Sequence, residues 1–237
     1  MNINSYIDHT NLSKTATVED IIKLCEEALE YHFATVCVPP YYVKAAKEYL
    51  KGSTIQVSTV VGFPNGYQTI ATKQYEVIDA IHNGADEIDM VININALKNK
   101  DYNYVKEEIE TIRDSMDGKV LKVIIETCLL TEEEIIKMTE ICNETFINFI
   151  KTSTGFDKKG ATIHDIEIIN KHKSDVLEVK ASGGIKTEKD ILKFISIGVT
   201  RIGTSHGVEI INGEELKEEQ ECHCHNDKKC HCKKESE

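Results

Sequence analysis

From Ser5 to Gly207 the chain alternates short β-branched and apolar runs with longer stretches in which apolar positions recur at helical spacing. The short runs predict eight strands: Tyr6–Thr10, Ala34–Val38, Gln56–Val61, Glu87–Ile92, Leu121–Glu126, Asn148–Thr152, Leu177–Ala181 and Arg201–Thr204. Helices are predicted over segments such as Val18–Tyr31, Thr69–Asn83, Asp101–Met116, Thr131–Thr145 and Thr187–Ser196. Thr131 with Glu134, and Thr187 with Asp190, set a capping hydroxyl before an acidic residue in the first turn. Gly52, Gly84, Gly118 and Gly198 suit left-handed helix C-caps ahead of the next strand. Repeated strand–helix alternation predicts an α/β chain whose parallel sheet closes into a (β/α)8, or TIM, barrel; a doubly wound open sheet is the structural alternative.

No composition break marks a linker inside this alternation, so residues 1–212 are expected to form one barrel domain. Residues 213–237 are almost free of apolar side chains and are expected to be a polar, flexible tail. The 28 basic against 40 acidic residues give a net charge of -12, which opposes nucleic acid and anionic membrane surfaces as partners. Any anionic ligand must then be held by a local arrangement. The N-terminus lacks a secretory pattern and no apolar run is long enough to span a bilayer, so a cytoplasmic location is expected. Cys25, Cys37, Cys128 and Cys142 sit among apolar residues, as reduced thiols do.

Barrels of this kind carry chemistry at the C-terminal ends of their strands. The segments there are rich in Gly, Asn, Ser and Thr: Gly62-Phe63-Pro64-Asn65-Gly66, Thr152-Ser153-Thr154-Gly155, Ser182-Gly183-Gly184 and Gly203-Thr204-Ser205-His206-Gly207. Within the strands, the period of two sends Leu177 and Val179 toward the helices and Lys180 into the barrel. It groups Lys151 with Phe149 and Ser153, and it turns Asp89 inward while Ile88, Met90 and Ile92 face out. A barrel interior is a packed core, so two lysines and an aspartate there must be paired or solvated. They form either a structural ion pair or a catalytic group.

Two ammonium groups on adjacent strands raise the cost of charging both, and desolvation adds to it. One of the two is expected to become a neutral amine. A fall from ~10.4 to near 7 is about 3 pH units, or roughly 4 kcal/mol, within reach of burial beside a like charge. A neutral amine attacks a carbonyl to give an iminium, an electron sink for making or breaking the neighbouring carbon–carbon bond. The remaining lysine and the carboxylate would then move protons. The glycine loops Ser182-Gly183-Gly184-Ile185-Lys186 and Gly203-Thr204-Ser205 end the last two strands, where barrels bind phosphate, which points to a phosphorylated small molecule.

With these residues in view, the sequence resembles the 2-deoxyribose-5-phosphate aldolases, a family of class I aldolases. The resemblance rests on Ile7-Asp8-His9-Thr10, Val36-Cys37-Val38, Val61-Gly62-Phe63-Pro64, Ala85 to Val91, Lys122 to Thr127, Phe149 to Gly155, Lys180 to Ile185 and Arg201 to Ser205. It implies that Lys151 forms the Schiff base, that Lys180 depresses its pKa and serves proton transfer with Asp89, and that Asp8 helps hold the network. It also implies phosphate contacts at Gly155, Gly183, Gly184, Gly203 and Ser205. The implied reaction is reversible cleavage of 2-deoxy-D-ribose 5-phosphate to D-glyceraldehyde 3-phosphate and acetaldehyde, in deoxynucleoside breakdown. No metal or organic cofactor is implied, and the implied assembly is a homodimer or homotetramer.

Three positions depart from the family's pattern. His206 stands where a second Ser is frequent, Lys186 where Arg is frequent, and no Tyr follows Tyr104, whereas some relatives use a terminal Tyr in proton transfer. The tail holds Cys222, Cys224, Cys230 and Cys232 with three His within 11 residues, a set able to bind a soft divalent metal or Cu(I). Two rival functions follow: another Schiff-base barrel acting on a different sugar phosphate, and a metal-handling protein with an inactive barrel, for which removing residues 213–237 abolishes the function. Cys37 is expected to be a small core residue. Lys122 and Glu126 are expected to share the inward face of the fifth strand, as an internal ion pair supporting the site.

Overall fold

The computed structural model describes residues 2–214. Among them, eight strands run β1 (Ile7–Thr10), β2 (Thr35–Val38), β3 (Gln56–Val61), β4 (Glu87–Val91), β5 (Val120–Ile124), β6 (Phe149–Lys151), β7 (Glu178–Ser182) and β8 (Arg201–Thr204). Every neighbouring pair is parallel, and β8 pairs back onto β1, closing the barrel in sequence order. Helices α1 (Val18–Tyr31), α2 (Val43–Tyr49), α3 (Ile70–His82), α4 (Ile94–Lys98), α5 (Tyr102–Asp114), α6 (Glu132–Glu144), α7 (Ile163–His172), α8 (Glu188–Ser196) and α9 (Gly207–Asn212) form the outer layer. No helix among the described residues is long and apolar enough to cross a membrane.

Local chemistry sets these elements. Thr17 opens α1 and Thr131 opens α6 with reciprocal bonds to Asp20 and Glu134, while Thr187 accepts from the Asp190 amide at the head of α8. Gly84 and Gly198 take the left-handed conformation directly after the caps of α3 and α8, with φ of 106° and 94°. Gly118 is also left-handed but lies beyond the end of α5, in the turn leading to β5.

The period of two then divides the strands. Ile7, Val36, Ile88, Met90, Leu121, Val123, Ile150, Val179 and Ile202 face outward and pack against Leu24, Val77, Ile109, Met138, Ile166 and Ile191 of the helices. The apolar core is therefore a ring between sheet and helices. Each fully buried Ile or Val contributes roughly 1.5–3 kcal/mol. That layer offsets an interior that mixes apolar side chains with charge, since Asp8, Glu87, Asp89, Lys122, Lys151 and Lys180 are all buried.

Candidate active site

Asp89 lies at the centre of the barrel interior. Its Oδ2 accepts hydrogen bonds from Lys151 Nζ at 2.8 Å and Lys180 Nζ at 2.7 Å, and its Oδ1 accepts from Lys122 Nζ at 2.8 Å and Ser58 Oγ at 3.2 Å. Strand register brings these groups together, because Asp89 is level with Lys122 across β4 and β5 and Lys151 with Lys180 across β6 and β7. Asp8, from β1, lies 2.5 Å from Lys180 Nζ. Arg201 donates to Asp8 Oδ1 at 2.6 Å and to Glu87 Oε1 at 3.1 Å, and Glu87 also contacts Lys122. The expected residues Lys151, Lys180, Asp89 and Asp8 thus form one network.

The two lysines that sequence alone left equivalent are separated by their partners. For Lys151, burial pushes the ammonium down; Asp89 opposes this, and the neighbouring Lys180 charge adds to it, leaving the group below its ordinary value. For Lys180 burial acts the same way, but Asp8 and Asp89 outweigh it and hold the ammonium charged, well above the ordinary range. Burial acts against the Asp89 carboxylate too, yet three lysines hold it well below the usual carboxylate range. Lys151 alone of the three lysines meets a single carboxylate within 4.0 Å.

Lys151 is also the one that ligands can reach. Its side chain is 4% exposed and lines a cavity of about 690 Å³ at the C-terminal end of the barrel, while Lys180, Asp89 and Asp8 lie below the lining. Gly155, Gly183, Gly184, Gly203 and Ser205 all line the same cavity, joined by Lys186 and His206. Glycine is required at two of these points. A Cβ on Gly203 would sit 3.2 Å from Lys180 Cε and 3.0 Å from Ser182 Cβ, closing the space through which the Lys180 stem passes. At Gly183, φ is 80° and a Cβ would come within 2.9 Å of the Gly160 Cα.

One expectation needs correction. Lys122 does not pair with Glu126; it turns to Asp89 and Glu87. β5 ends at Ile124, and Glu126 follows with a left-handed backbone, φ 53°, that carries its carboxylate to the Thr154 amide, accepted at 3.1 Å. Cys37 is buried as expected, though among charged groups of the barrel interior as well as apolar ones: burial pushes its thiol up, with Asp89 adding to the rise. Arg201 and Glu87 were not singled out from the sequence as site residues. The signal was present, because both stand two positions before an inward residue, Gly203 and Asp89 respectively. Cys222, Cys224, Cys230 and Cys232 lie outside the described residues.

A model for the DeoC/LacD family of aldolases matches residues 3–211. The chain belongs to this family. It is 52% identical over 209 residues to the deoxyribose-phosphate aldolase of Clostridioides difficile, covering 88% of this chain and 95% of that protein. It is 52% identical over 217 residues to the deoxyribose-phosphate aldolase of Thermococcus gammatolerans, covering 90% and 96%. Among solved structures, the tetrameric deoxyribose phosphate aldolase of Aeropyrum pernix superposes with a TM-score of 0.83 at 28% identity, over 89% of this chain and 90% of that one. The family match ends at Ile211, ahead of the Cys/His-rich segment.

Proposed function

We propose that this DeoC/LacD family member is a deoxyribose-phosphate aldolase working through a Schiff base on Lys151. The observation that carries the proposal is the placement of one poorly paired amine at the cavity floor, above a buried network that keeps the other cations charged. Neutral Lys151 attacks the C1 aldehyde of open-chain 2-deoxy-D-ribose 5-phosphate, and the carbinolamine loses water to give an iminium. The C3 hydroxyl gives up its proton, the C2–C3 bond breaks, and its electron pair moves into the iminium. D-glyceraldehyde 3-phosphate leaves. The enamine left on Lys151 takes a proton at C2, and water releases acetaldehyde and the free amine.

Lys180 and Asp89 relay these protons through water beneath the amine, and Asp8 holds Lys180 in place. Gly155, Gly183, Gly184, Gly203 and Ser205 take the phosphate at the cavity wall, with Lys186 and His206 beside it. The buried, unpaired thiols of Cys25, Cys37 and Cys142 suit a reducing cytoplasm, where deoxyribose phosphates are broken down. Assembly as a homodimer or homotetramer is part of the proposal, supported by the tetrameric relative from Aeropyrum pernix. The polar tail is proposed to lie outside the catalytic unit.

Incubation with acetaldehyde and borohydride, followed by peptide mapping, tests the assignment. The expected product is a single ethyl group on Lys151 together with lost turnover, while modification of Lys180 instead, or of neither lysine, would refute it.

A further inference from the structure

The charged groups inside the barrel form a closed circuit. Arg201 bridges Asp8 and Glu87, Glu87 and Asp89 flank Lys122, and Asp89 and Asp8 flank Lys180, which returns the chain of contacts to Arg201. Three cations alternate with three carboxylates, so the ring is neutral without Lys151. Lys151 hangs from Asp89 as a fourth cation with no carboxylate of its own.

Arg201 closes this ring from the far end of the barrel. It is the first residue of β8, its side chain is 19% exposed, and its guanidinium lies over the Phe149 ring, 5.7 Å from the centroid. It does not line the cavity. Without it, Asp8 would keep Lys180 and Glu87 would keep Lys122, leaving Asp89 free to neutralise Lys151.

We propose that Arg201 is a positioning residue for the nucleophile: by claiming Asp8 and Glu87, it commits Asp89 to Lys122 and Lys180 and leaves Lys151 the surplus cation that gives up its proton. Two further titratable groups face Lys151. Cys37 is a thiol pushed up by burial, and Glu126, also pushed up by burial, is tied to the Thr154 amide; neither supplies the missing carboxylate. Arginine suits the position because it reaches two carboxylates at once and does not deprotonate.

The proposal rests on Lys151 being the Schiff-base amine, so each variant is first trapped with acetaldehyde and borohydride and the adduct mapped. An adduct elsewhere in the wild type would sink that assignment; an adduct on Lys151 with the wrong pH behaviour would sink only the role of Arg201. The readout is kcat/KM against pH, whose acid limb reports the free-enzyme amine. Arg201→Met should move that limb up by about one pH unit, a roughly tenfold loss below it that closes as pH rises. Arg201→Lys should restore the limb most of the way. Glu87→Gln removes a carboxylate from the ring and should move the limb down, and the double variant Arg201→Met/Glu87→Gln should return it toward the wild-type position. A merely structural role for Arg201 would lower kcat/KM equally at every pH, and that parallel drop would overturn the proposal. If Arg201→Met fails to fold, Glu87→Gln decides: a limb that stays put or moves up contradicts the ring.

Discussion

Lys151→Ala is expected to lower turnover by roughly 10⁴-fold or more, because no other group at the cavity floor supplies the covalent step. The same variant should be as stable as the wild type or more so. Removing one member of a buried ion pair ordinarily costs about 3–5 kcal/mol, since it strands a charge. Here nothing is stranded, because Asp89 keeps Lys122 and Lys180 when Lys151 is gone. Steady-state kinetics and a denaturant titration of the same preparation check both halves. Substantial residual turnover would remove Lys151 from the mechanism, and a stability loss of several kcal/mol would mean that its ammonium is a paired, charged member of the network.

Asp89→Asn is expected to damage both properties. Three lysine nitrogens converge on this carboxylate within hydrogen-bond distance, and a neutral amide would leave them facing one another in the barrel interior. A loss on the order of 3–5 kcal/mol is expected from breaking buried pairs in this way. Turnover should fall as well, by about 10²-fold or more, because proton transfer beneath the imine loses its carboxylate. The acid dependence of stability should change in step. Asp89 is held well below the usual carboxylate range in the folded protein, so its stabilisation is present above the unfolded value near 3.9 and is lost as pH falls toward the folded one. Asp89→Asn should therefore flatten the decline in stability below about pH 4. An unchanged unfolding midpoint and an unchanged acid slope would mean that Asp89 is not the anion holding the three lysines.

Much of this was legible in the amino-acid sequence, for reasons that can be traced residue by residue. Val18–Tyr31, Gln56–Val61 and Arg201–Thr204 are read to their last residue because period, caps and turn residues agree there. β5 is shorter than its apolar run suggests, because Glu126 leaves the extended conformation to reach the Thr154 amide, a demand set by a contact with the β6 loop. Helices α4 and α9, of 5 and 6 residues, are too short to establish a period of 3.6.

Lys151, Lys180 and Asp89 stand out as charged residues at inward strand positions, where structure alone favours Val or Ile. Asp8 entered by resemblance. Arg201 and Glu87 obey the same parity but begin their strands, and a charged residue at a strand start ordinarily faces water. Which lysine is the nucleophile could not be read locally. It depends on Asp8 from β1 reaching Lys180 on β7 past the intervening β8, a contact fixed only when the sheet closes.

The most direct test is a pH titration of the lysine side-chain nitrogens by NMR, with the Lys151 signal assigned from its absence in Lys151→Ala. Lys151 is predicted to lose its proton before Lys180 and below the ordinary value of ~10.4, while Lys180 stays charged to the highest pH the fold survives. A titration in which Lys180 deprotonates first, or in which Lys151 remains charged as long as Lys180 does, would contradict the account.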